Sequence, residues 1–223
     1  DRVIQETLIK HSKKENLDQI RIITEDDIPE VKEIIEVLAN ASNMINPEDI
    51  SEASIKKIAI HEVGHAMVSY LLFDTPDIEK ITINVEGRGS LGYVMYKGNR
   101  KKFTHSKIEL ENTIKKLLAG GCAEEVFIGY NENGNSDDLE KATWVAKRMV
   151  TKFGMSDLGL ARIDDLSGIG RLVYEEINKI LDKCHKETIE LIEQNKEKMQ
   201  KAIGYLLEHR EISEKEFIEC IKE

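Results

Sequence analysis

Cysteine, proline, glycine and aromatic residues are all scarce in this 223-residue chain. The three cysteines, Cys122, Cys184 and Cys220, are an odd and widely spaced set without a CxxC pair. They suggest no disulfide framework, and they point to a reducing compartment, cytoplasmic or organellar. Three prolines and 14 glycines argue against a many-turned β-sandwich and for helices. No apolar run approaches the roughly 18 residues that a membrane span requires. Basic residues are in the minority, 32 Lys and Arg against 42 Asp and Glu, and the net charge is −10. That balance excludes a broadly basic nucleic-acid surface and a polybasic membrane patch. What is present is 40% hydrophobic and 33% charged, the composition of a soluble globular protein. The length covers one large domain or two small ones and allows about 70–75% of the unfolded surface to be buried. The chain opens on Asp1 and not on Met, which reads as a fragment with room for an anchor or further domains upstream.

The pattern along the chain is mainly α with one small β element at about residues 78–96. Residues 1–50 are charged and helical, a segment or linker before a domain at 51–223. Ser51 is placed to cap a helix over 51–73, and Ile55, Ile58, Ala59, Ala66, Met67, Tyr70 and Leu71 recur at helical spacing. Ile81, Ile83 and Val85 then alternate with polar residues; Gly87-Arg88-Gly89 interrupts, and Leu91, Tyr93 and Met95 resume. A second helix is expected over 107–128, with Gly120-Gly121 inside it to permit close packing. A third is expected from Asp138 to Phe153, capped by Asp137 with Glu140 and stopped by Gly154. Two or three helices are expected over 172–222, with a start signal at Ser213 and Glu216.

His61-Glu62-Val63-Gly64-His65 is the most informative stretch. Positions i and i+4 of a helix project from one face, so the two imidazoles can share one Zn²⁺. Glu62 lies beside them and can serve a water on the open side of the metal as general base. A catalytic zinc needs a third protein ligand. Spacing leaves four candidates open: Glu124 and Glu125 on the Gly-Gly helix, and Asp137 and Asp138 after the polar loop. The two aspartates also have a plain structural explanation, because acidic residues in a first helical turn complement the helix dipole. Cys184 and His185 are adjacent and do not share a helix face, which argues against a second metal site there. His11, His105 and His209 are read as surface residues, and Trp144 and Met149 as core.

Five stretches in order resemble the peptidase domain of the FtsH-type AAA+ zinc proteases. HEVGH (61–65) resembles that family's HEAGH. GRGSLGYVMY (87–96) resembles PRG-x-x-LGY, and LLAGGCAEEVFIG (117–129) resembles LLGGRAAEE-x-x-FG. GNSDDLEKAT (134–143) resembles TGA-x-NDL-x-x-AT, and MVTKFGMSDLG (149–159) resembles MV-x-x-WGMS-x-LG. The resemblance implies a helical zinc metallopeptidase domain with one zinc per chain. It implies His61, His65 and Asp138 as ligands, Glu62 as base, and Leu91, Gly92 and Tyr93 as a sheet-edge segment that holds substrate as an added strand. Glu125 stands as a supporting or reserve ligand. The resemblance further implies polypeptide substrates, a homo-hexamer and an ATPase module, in cis upstream or in trans, in a family that is usually membrane-anchored.

Three departures stand out: Gly121 replaces the family arginine, Asn133 the threonine of TGA, and Phe153 the tryptophan before GMS. No G-x-x-x-x-G-K-[ST] is present, so the chain has no P-loop ATP site. Residues 23–35, ITEDDIPEVKEII, are weakly similar to the end of the family's ATPase lid, and a generic charged helix pair fits them equally. Two rival readings follow: a stand-alone zinc protease without an ATPase partner, and a non-catalytic assembly module that kept the fold.

Overall fold

The computed structural model describes residues 50–75, 77–84, 92–97 and 104–222. The expectations on residues 1–49, Val85, Gly87-Arg88-Gly89 and Leu91 lie outside the described residues. Six helices and three short strands follow in the order α1 (Glu52–Leu72), β1 (Ile78–Thr82), β2 (Tyr93–Tyr96), α2 (Lys107–Ile128), α3 (Ser136–Thr151), α4 (Gly170–Gln194), α5 (Lys196–His209), β3 (Glu211–Ser213) and α6 (Glu214–Lys222). The mainly α expectation holds.

Helix α1 begins where its cap places it: the Ser51 side chain accepts from the Ser54 amide. Ala59, Ile60, Val63, Ala66, Met67 and Val68 bury it on several sides, so α1 is a central helix and not a surface stripe. It packs against α2, α5 and the sheet. Helix α2 starts with a reciprocal capping box between Ser106 and Glu109, and stops at Gly129, whose φ of 92° leaves the helical region.

Two apolar clusters meet on α2. Its Ala119, Cys122 and Ala123 join α1, β1, α5 and α6 in the larger core, with Met67, Ile81, Leu206 and Phe217. Its Ile114 joins Ala146 and Met149 of α3 and Val173, Ile177 and Cys184 of α4 in the second. This two-sidedness sets the distance between α1 and α3.

The sheet runs β2-β1-β3 and is antiparallel throughout. Ile81 sits opposite Val94 on one side and Ile212 on the other. Strand β3 was not expected from sequence. It is three residues long with one buried position, Ile212, too short for an alternation to register. Arg210, at φ 65°, ends α5 and turns the chain into it, and the Ile83 amide donates to the Arg210 carbonyl at 2.9 Å.

Two further expectations are corrected. Helix α3 starts at Ser136, continuing a 3₁₀ turn at Asn133–Asn135, and Asp137 does not cap it but pairs with Lys141. Trp144 is not core: it is 57% exposed with the Arg148 guanidinium over its ring, whereas Met149 is fully buried.

At Gly64 the backbones of α1 and α2 nearly touch. A Cβ there would lie 2.6 Å from the Ala119 carbonyl oxygen and 2.7 Å from the Ala123 Cβ. Alanine is favoured over glycine in a helix by about 1 kcal/mol. Gly64→Ala is nonetheless expected to lower the melting temperature, by about 2–4 °C for each kcal/mol lost, because the two helices must part. A thermal melt showing a higher transition would contradict this packing.

Candidate metal centre

Three donor atoms from two distant helices converge on one point. His61 Nε2 and His65 Nε2, a turn apart on α1, are 3.1 Å from each other. Asp138 Oδ2, from the first turn of α3, lies 3.1 Å from His65 Nε2 and 3.5 Å from His61 Nε2. Donors about 2.0–2.2 Å from one tetrahedral ion are separated by roughly 3.3–3.5 Å, so the spacing fits a single zinc-sized cation. Among the described residues, these three form the group whose donors lie close enough to share an ion.

The far side of each ring fixes what the near side offers. His65 Nδ1 is 2.8 Å from the Lys116 carbonyl oxygen, which can only accept, so Nδ1 carries the proton. His61 Nδ1 is 2.7 Å from Glu124 Oε1 and donates likewise. In its neutral form each ring therefore turns an Nε2 lone pair toward a carboxylate oxygen. Three acceptors face one another, and only a cation or a proton can satisfy them.

The electrostatics follow from that arrangement. Burial opposes charge on His61, but the Asp138 and Glu124 carboxylates outweigh it and push its pKa up to about 9. Burial would raise Asp138, yet the two imidazoles hold it far below the usual carboxylate range. Without an ion, the centre binds a proton in its place, and metal uptake must displace it.

Glu62 is 8% exposed and lines the same cavity, which has a volume of about 650 Å³. Burial raises its pKa, with His65 and His61 partly offsetting the effect. Tyr96 closes another wall, its hydroxyl 3.1 Å from Ser69 Oγ, and burial pushes its pKa up. Gly92 and Tyr93 of the β2 edge line the cavity as well. Gly92 passes directly over α1: a Cβ there would lie 2.6 Å from Ile58 Cγ2 and 3.1 Å from Glu62 Cγ.

His61, Glu62, His65, Asp138, Gly92 and Tyr93 come together around one cavity. Asp137 reaches only the rim of that cavity, where its exposed carboxylate pairs with Lys141 and not with the histidines. Glu125 does not support the centre. Its carboxylate binds His185 Nε2 at 3.0 Å and Asn131, and the supporting place belongs to Glu124. The reason is helical geometry, since neighbouring residues occupy different faces. Glu124 also accepts from the Glu132 amide at 2.8 Å, which locks its orientation. Spacing alone marks Glu124 only as a ligand candidate; the signal for its supporting role is the habit of metal-binding histidines to donate their second nitrogen to a carboxylate.

Gly120 has a more specific purpose than general close packing. The His61 ring lies on it, and a Cβ there would meet ring atoms at 2.3–2.6 Å.

A family model, peptidase family M41, matches residues 48–220. The chain is 31% identical to the ATP-dependent zinc metalloprotease FtsH of Clostridium perfringens over 228 residues, covering 96% of this chain and 30% of that protein. It is 33% identical to FtsH 2 of Symbiobacterium thermophilum over 171 residues, 72% of this chain and 28% of that protein. With FtsH of Kosmotoga olearia it shares 31% identity over 201 residues, 82% of this chain and 30% of that protein. The chain thus spans about 30% of the length of these relatives.

Gly120→Ala is expected to push the His61 ring out of line and weaken zinc retention at least tenfold, with helix content kept. Competition with a chromophoric chelator measures the first and far-ultraviolet circular dichroism the second. Undiminished retention would mean that His61 does not face an ion.

Proposed function

The chain belongs to peptidase family M41, and from that premise we propose that it is a zinc-dependent endopeptidase acting on unfolded or extended polypeptide. The convergence of His61, His65 and Asp138 beside buried Glu62, in one cleft under a sheet edge, carries the reading. Residues 51–223 would form the metallopeptidase domain, holding one zinc through those three side chains. When bound, the zinc supplies Lewis acidity that polarises a carbonyl and makes water easier to deprotonate.

The remaining steps belong to the protein's own groups. Glu62 takes one proton from the attacking water while the water oxygen bonds to the peptide carbon. It then hands that proton to the leaving amide nitrogen as the C–N bond breaks, so the products are a carboxylic acid and an amine. Glu124 and the Lys116 carbonyl keep both imidazoles in the tautomer that faces the ion. Strand β2 lies at one edge of the described sheet and borders the cavity through Gly92 and Tyr93. An extended substrate added along that edge would be recognised by its main chain, which suits broad specificity.

These relatives are named as ATP-dependent zinc metalloproteases. By that likeness the chain would serve as the proteolytic part of such an assembly, with a hexameric ring and an ATPase in cis or in trans.

Glu62→Gln is expected to retain one zinc per chain and lower casein cleavage at least 100-fold. Full activity in that variant would remove Glu62 from the reaction. Asp138→Asn should lose zinc during dialysis against a weak chelator while its circular dichroism is unchanged. Zinc held as tightly as before would place the third ligand elsewhere. Zinc-loaded chain that cuts no flexible polypeptide at all would favour a non-catalytic assembly role.

A further inference from the structure

Resting on the proteolytic reading, we propose that Lys116 makes the cleft select a substrate carboxylate, whether an Asp or Glu side chain near the scissile bond or a free C-terminus. The cavity that holds Glu62 and Asp138 has two lysines in its wall, Lys116 and Lys141. Lys141 is committed: its Nζ is 2.5 Å from Asp137 Oδ2, one turn away on α3. Lys116 is not. No carboxylate among the described residues lies within ion-pair distance of it, and the acid whose charge it feels, Asp77, makes no hydrogen bond to it.

The ammonium of Lys116 is nevertheless held in place. Its Nζ lies 3.2 Å from the centroid of the Tyr96 ring, with the Phe73 ring at 6.0 Å. Tyr96 is itself fixed through its hydroxyl to Ser69 on the buried side of α1. The backbone of Lys116 is fixed by a different bond, the one its carbonyl accepts from His65 Nδ1. The residue is therefore anchored to the metal centre at one end and to the cleft wall at the other. An aromatic ring satisfies a cation's charge but leaves the N–H donors that point away from it to be filled. A carboxylate that enters with the substrate would supply acceptors and charge together, in a half-buried place where an ion pair is screened less than at the open surface. A neutral or basic side chain would leave the ammonium desolvated for nothing.

The test uses zinc-loaded full chain and quenched peptides of one sequence that carry Glu, Gln or Lys at single positions beside the cleaved bond. A second set ends in a free acid or an amide. The wild-type protein is expected to favour Glu over Gln, or acid over amide, by about tenfold in kcat/KM. The first outcome identifies a side-chain carboxylate and the second a C-terminal one. The ratio should fall to about one in Lys116→Met, persist in Lys116→Arg, and turn in favour of Lys in Lys116→Glu. A uniform loss across all peptides with the ratio unchanged would make Lys116 merely structural and overturn the proposal. So would a wild-type ratio near one. Cleavage without preference defeats this inference alone, whereas no cleavage of any peptide defeats the proteolytic reading with it.

Discussion

The near-contact of α1 with α2 is the constraint on which the centre depends. Helix α2 meets the two histidines along one stripe at i, i+4 and i+8. The Lys116 carbonyl accepts a hydrogen bond from His65 Nδ1, Gly120 leaves room for the His61 ring, and Glu124 accepts one from His61 Nδ1. The order is reversed between the helices, so they run antiparallel. A wider gap would free both rings to rotate, and a shift of one residue along α2 would exchange Glu124 for Glu125, which faces His185. Close approach between helices is bought with small residues, here Gly64 against Ala119 and Ala123.

The same helix positions the third donor. Asp138 comes from α3, which touches the histidine helix through α2 and the second apolar cluster. The first turn of α3 suits an acidic residue for an ordinary reason, the helix dipole. Asp137 answers to that reason alone and pairs with Lys141 at the surface. Asp138 is turned inward and meets both imidazoles. Dipole compensation and ligand geometry thus coincide at one position and not at its neighbour.

Much of this was legible in the sequence, for local reasons. Helix α1 declares itself through Ser51 and its apolar spacing, and HEVGH on it fixes two donors and a carboxylate by helical pitch alone. What pitch cannot convey is which distant acid arrives, and spacing left four acids open; the likeness to a known family, not periodicity, pointed to Asp138. Strand β3 stayed hidden because three residues with one buried side chain carry no period. The place of Glu124 behind His61 was not legible, because a carboxylate behind a histidine and a carboxylate on an ion look the same in sequence. Trp144 fell to the surface because Arg148 covers its ring without burying it.

The central claim is that two imidazoles and a carboxylate surround one cation in the α1–α2–α3 cleft. X-ray absorption at the zinc edge of the zinc-loaded chain tests it most directly. A first shell of nitrogen and oxygen at about 2.0–2.1 Å, with outer-shell scattering from two imidazoles, is the predicted result. A sulfur shell at about 2.3 Å, or an oxygen shell without imidazole scattering, would contradict it.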